Sequence, residues 1–162
     1  MAAGSTYTPI ATTTLGSAQS SISFSSISGS YTDLILITTG ACSAVGDVSI
    51  RFNSDSGSNY SFTYIYGNGS SALSGRGSNT TSGIAGGTDT SPVANICHIQ
   101  NYSNTTTYKT SLSRSNRPTT GTMAFVNLWR NTSAINAITI LADSGVTFST
   151  GFTATLYGIA AA

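Results

Sequence analysis

The chain has 162 residues, enough for one domain that buries a core without disulfide staples. Charged residues make up 7% of it, against about 25% in ordinary soluble domains, and six scattered basic residues set against five Asp leave a net charge of +1. That balance argues against nucleic acid or an anionic membrane as the main partner, and recurrent Ile, Val, Phe and Tyr argue against disorder.

Helical periodicity is nearly absent, and the signals in chain order are those of strands. "TYTPIATTTL" reads as extended, with Pro9 confining it to an edge or a strand start. "SISFSSI" alternates, Ile22 and Phe24 sharing a face. "YTDLILITT" is apolar on both faces at Leu34–Ile37, which predicts a central strand. "VSIRF" sends Val48, Ile50 and Phe52 one way and Ser49 and Arg51 the other. "YSFTYIY" places Tyr60, Phe62, Tyr64 and Tyr66 on a single face. From Gly67 to Ser91, glycine, serine and threonine dominate, with Leu73 and Ile84 the large apolar residues, so this interval is expected to be irregular. "VANICHIQ", "TYKTSLSR", "TMAFVNLW", "AINAITIL" and "TGFTATLYGI" then supply further strands, separated by turn signals such as "SNTTT", "RPTTG" and "ADSG". Nine or ten short strands predict an all-β protein, an antiparallel β-sandwich of jelly-roll-like type. Residues 1–162 are expected to form one domain with a short extended N-terminal segment, 1–8. No stretch approaches the ~18 apolar residues of a membrane helix, and "MAAGSTYTPI" lacks the basic and apolar regions of a signal peptide.

Several strings imitate sites. "NSDSGSN" alternates oxygen-bearing side chains around a glycine as a calcium loop does. However, the fifth and sixth ligand positions are Gly57 and Ser58, and the twelfth is Tyr64 instead of a bidentate Glu. A Gly/Asn/Asp turn with Asp55 and Asn59 bonding the local chain is the expected reading. "GNGSSA" has the glycine spacing of a dinucleotide fingerprint, with Asp89 about twenty residues on, yet "LSGRGSNTTSG" cannot open the helix that holds a pyrophosphate. His98, the single histidine, is expected to be a structural, hydrogen-bonded residue. Cys42 and Cys97 sit beside strand-like runs and are expected to be buried free thiols. No catalytic residue, metal site or cofactor is expected. The aromatic face of Tyr60, Phe62, Tyr64 and Tyr66 has three readings: a core face, a subunit interface, or a platform on which a sugar stacks.

"YTPIATTTLGSAQSSISFSSISGSYTDLILI", "RFNSDSGSNYSFTYIYGNGSS", "IQNYSNTTTYKTSLSRSN" and the closing "FTATLYGI" together resemble a β-rich module of tailed-bacteriophage virion proteins. These are the capsid decoration (cement) proteins and the tail-fibre or tail-tip modules. The resemblance runs from about Thr6 to Ile159 and implies a jelly-roll-like sandwich, a homo-oligomer (often a trimer) and no enzymatic activity. It also implies a virion location after synthesis in the host cytoplasm, and major capsid protein as the partner. The expected function is a decoration protein that clamps neighbouring capsid subunits, since the chain reads as one compact domain with no coiled-coil or repeat shaft. The alternative is a glycan-binding receptor module of a tail fibre or tip.

Overall fold

In the computed structural model, which describes residues 6–160, twelve β-strands and no helix form two antiparallel sheets packed as a sandwich. The strands are β1 (Tyr7–Thr14), β2 (Ser21–Phe24), β3 (Asp33–Gly40), β4 (Gly46–Phe52), β5 (Tyr60–Gly67), β6 (Ala72–Thr80), β7 (Gly83–Thr88), β8 (Val93–Gln100), β9 (Lys109–Arg117), β10 (Gly121–Trp129), β11 (Ile138–Ala142) and β12 (Thr153–Ile159). Of the extended N-terminal segment, residues 1–5 lie outside the described residues, and Tyr7 and Thr8 already belong to β1.

The larger sheet has the order β1-β12-β3-β8-β9-β10-β5-β6 and the smaller β2-β11-β4-β7. With β5–β6 and β9–β10 set aside, the remaining strands counted along the chain run first-eighth-third-sixth in one sheet and second-seventh-fourth-fifth in the other. That is the double Greek key of a jelly roll. The two set-aside pairs are hairpins inserted into this frame. Both extend the same sheet, which outgrows its partner on the β5–β6 side.

The core follows from strand alternation. Ile22 and Phe24, Val48, Ile50 and Phe52, Leu34 and Leu36, and Ile138 and Ile140 all turn inward and are buried. β3 lies between β12 and β8 and is apolar on both sides, as a central strand should be. Pro9 falls on the edge strand β1, where a bulge between Pro9 and Ala11 accompanies the missing N–H.

The glycine-rich interval departs from expectation: much of it forms β6 and β7. β6 pairs with β5 so that Gly75 and Gly77 face Tyr64 and Phe62, whose rings lie across the glycines where a Cβ would collide. The aromatic rings thus occupy the space that β6 side chains would otherwise fill, which offsets the poor strand preference of glycine. β7 is buried along its whole length, and its glycines let its backbone approach the larger sheet directly. Asn127 Nδ2 donates to Ile84 O (3.0 Å), and its Oδ1 accepts from Ile84 N (2.7 Å). Asn95 forms the same reciprocal pair with Gly87, at 3.1 Å in both directions. Ser113 Oγ donates to Ile84 O (2.9 Å). Side-chain amides of β8 and β10 therefore complete the hydrogen bonding of an edge strand that would otherwise be buried with open backbone groups.

Cys42 and Cys97 are free and buried; burial pushes the Cys42 thiol up to about 11 and also raises that of Cys97. Thiol titration without reductant is expected to find two free thiols per chain in denaturant and almost no reaction in the native state, since the thiolate is the reactive form. Finding none in denaturant would mean that the thiols are oxidised.

Candidate functional site

The segment that imitates a calcium loop is a β-corner. Asn53 and Ser54 take positive φ, at 52° and 58°, turning the chain out of β4. Asp55 Oδ1 accepts from Gly57 N (2.8 Å), and its Oδ2 accepts from Asn59 Nδ2 (2.9 Å) and from the indole Nε1–H of Trp129 (2.7 Å). Burial alone would raise the Asp55 carboxyl, but the hydrogen bonds from Trp129, Asn59 and Gly57 outweigh it and hold the group below its usual 3.8. The carboxylate is fully engaged in tying the corner to β10. Among the described residues no group of three or more His, Cys, Asp or Glu could hold a metal ion.

Asp89 is likewise an anchor. It is buried and accepts from Thr119 N (3.0 Å), Thr119 Oγ1 (2.7 Å) and Ser91 N (3.1 Å), joining the chain after β7 to the β9–β10 turn. His98 lies on the outer face of the larger sheet and bonds Asp33 Oδ2 through Nε2 (2.8 Å), while Asp33 Oδ1 accepts from Asn101 N (2.7 Å).

The aromatic face divides. Tyr60 is 0% exposed, stacked on Trp129 with ring centroids 6.2 Å apart, and its hydroxyl accepts from Phe52 N at 2.9 Å. Burial pushes its phenol up to about 12. Tyr60 is core and is not available to a partner, which corrects its placement in a candidate interface. Phe62, Tyr64 and Tyr66 are half-buried on the inward side of the overhanging hairpin, where only the β7 edge of the smaller sheet reaches them. They pack on Met123, Phe125 and Ile84. Tyr64 and Phe125 lie 5.7 Å apart between centroids, and Phe62 meets Phe125 edge-on at 6.3 Å. Tyr66 donates to Thr120 O. The result is an aromatic ledge that lines a cleft of about 280 Å³ together with Asp47 and Arg117. Arg117 Nη2 donates to Gly46 O and Asp47 Oδ1, and its buried Nε has no hydrogen-bond partner among the described residues. Burial raises the Asp47 carboxyl, Arg117 offsets this only in part, and Asp143 adds to the rise. Sequence reading missed Asp47 and Arg117, which stand 70 positions apart. It could have found Met123 and Phe125, because they alternate with Asn127 and Trp129 on one face of "TMAFVNLW".

The second surface is the outer face of the larger sheet. Cross-strand register lines up Tyr157, Ile35, His98, Leu112, Val126 and Thr63 in one row, with Ile37, Ile96, Arg114, Ala124 and Ile65 in the next. Leu112, Val126 and Ile65 are 48%, 51% and 65% exposed. The neighbouring β9 serines, Ser111, Ser113 and Ser115, are buried. β9 is thus inverted relative to the usual apolar-in pattern, because its inward side faces the backbone and edge of β7, where hydroxyls can bond. Compared with protein-family models, curated proteins and solved structures, the chain matches none of them.

Proposed function

We propose that the chain is a non-catalytic structural module that lays the outer face of its larger sheet against a protein surface. In the finer form of this reading it is a capsid decoration protein seated on major capsid protein. The carrying observation is the run of exposed Leu112, Val126 and Ile65 beside Ile35, Ile37 and Ile96 on a sheet face where Arg114 has no salt bridge among the described residues. A contiguous exposed apolar sheet face marks a contact surface. Low charge lets copies sit close together on a lattice with little repulsion. The jelly-roll frame and the virion resemblance of the quoted segments support the reading.

Co-sedimentation of the purified protein with mature empty heads of the phage that encodes it tests the reading. Binding is expected to survive about 0.5 M salt, since apolar contacts are not screened, and to be lost in Leu112→Asp/Val126→Asp with the fold intact by circular dichroism. Failure of the wild-type protein to bind heads overturns the decoration reading.

The aromatic ledge favours a second reading, a glycan-binding module. Rings that can stack on the C–H face of a sugar stand beside a carboxylate–guanidinium pair able to bond its hydroxyls. In that case glycan-array binding would be abolished by Tyr64→Ala and unaffected by the Leu112→Asp/Val126→Asp pair.

A further inference from the structure

The two sheets have four edge strands, β1, β6, β2 and β7, and three of them are closed to further pairing. β1 carries Pro9 and a bulge. β2 has only four residues. β7 is bonded along its free side by Asn95 and Asn127. β6 differs. From Ala72 to Ser78 it is in regular register with β5, without Pro and without a bulge until Asn79, whose φ of 56° ends the regular stretch. Its one charge is Arg76, and Leu73 is 53% exposed. A long, flat, nearly uncharged edge is a template for another strand unless something blocks it.

We propose that β6 pairs with β6 of a second copy, antiparallel about a two-fold axis at Gly75, so that the larger sheets of both copies become one. A two-fold axis normal to the sheet keeps outer face beside outer face, so residues must pair with residues of like parity. Three registers use the regular stretch. Centring on Arg76 sets the two arginines directly opposite each other, a like-charge pair that destabilises a ladder. Centring on Ser74 shortens the overlap, because Gly77 and Ser78 would face Ser71 and Ser70, which precede the strand. Centring on Gly75 engages all of Ala72–Ser78, sets Ser74 opposite Arg76 of the other copy, and lays each exposed Leu73 against Gly77 and the Phe62 ring that covers it. The shape and charge of the strand are therefore self-complementary in that register alone.

The area also sets the strength. Seven residues at ~3.4 Å make a contact ~24 Å long, and a sheet ~10 Å thick gives about 250 Å² per copy, well under the ~800 Å² of a standard interface. The dimer is accordingly weak and concentration-dependent. It joins the two aromatic ledges across the axis and leaves both outer faces on one side, so it does not depend on the reading above.

Sedimentation equilibrium of the full chain up to about 1 mM, the weak end of the affinity scale, measures the dimer. Ser74 is exposed, so its variants are expected to fold normally, as circular dichroism would show. Ser74→Asp places a carboxylate opposite Arg76 of the other copy and is expected to tighten Kd by about 3–10-fold at low salt, while Ser74→Lys weakens it by a similar factor. Both shifts should fade at high salt. A chain that stays monomeric throughout overturns the proposal. So does a dimer that ignores both Ser74 variants, shifts the same way in both, or is dissolved by Leu112→Asp alone.

Discussion

Asn127→Leu is expected to lower the unfolding free energy by about 3–5 kcal/mol, among the largest losses for a single substitution in this chain. Asn127 is 2% exposed, and its amide serves both backbone groups of Ile84 while donating to Ser111 Oγ at 3.1 Å. Leucine matches the branched shape of asparagine but is bulkier and bonds neither group. Ile84 N loses its acceptor and Ser111 Oγ its donor, while Ile84 O keeps the Ser113 hydroxyl; each buried polar group left without a partner costs about 1–3 kcal/mol, and the branched end must also fit against Gly83, where the Asn127 carboxamide already sits close. For a domain of this size the loss corresponds to a fall in Tm of about 10 °C. Differential scanning calorimetry with a urea titration checks it. A loss below about 1 kcal/mol would mean that water reaches the β7 edge and replaces the amide. Asn95→Leu should behave alike, because Asn95 does for Gly87 what Asn127 does for Ile84.

Asp55→Ala is the second large effect, expected at about 2–4 kcal/mol, since it removes a charged acceptor from the indole of Trp129, which is 1% exposed, and from the Asn59 and Gly57 donors. Asp55→Asn retains one acceptor oxygen and should cost less. Wild type and Asp55→Asn also separate by pH. The folded-state pKa of Asp55 lies below the usual carboxyl value of 3.8, so in the range above 3.8 its contribution is fully present, and it is lost as pH falls through the folded value. Asp89 acts in the same direction, whereas Asp47, raised by burial, acts oppositely. Wild-type stability should therefore fall more steeply than that of Asp55→Asn below about pH 4. Parallel pH profiles of the two proteins, measured by urea unfolding, would show that the corner does not depend on the charge. The same corner explains why an oxygen-rich loop need not be a metal site: its acceptors already have donors.

Much of the architecture was legible in the chain itself. Ile22 and Phe24, Val48, Ile50 and Phe52, and Cys97 and Ile99 alternate with polar neighbours, and a period of two demands strands with one covered face. Asp55, Gly57 and Asn59 turn the chain by bonds that span two to four residues, so local chemistry predicts that corner. The number of short strands and the spacing of turns together point to a sandwich. Alternation, however, reports that a strand has two faces without saying what will cover either one. Tyr60 and Tyr64 belong to one stripe, yet one is core and the other ledge, because Phe52 and Trp129 close over Tyr60 while Tyr64 meets Ile84, Met123 and Phe125 and stays half-buried. Leu112 is outside and Ser113 inside because β7 brings backbone, not side chains, against β9. The glycines from Gly75 to Gly87 look like loop and become strand because rings from β5 cover two of them and amides from β8 and β10 bond the strand that holds the others. Tertiary structure decided these points because each depends on a group tens of residues away filling a space or satisfying a hydrogen bond, and no local pattern encodes which group arrives.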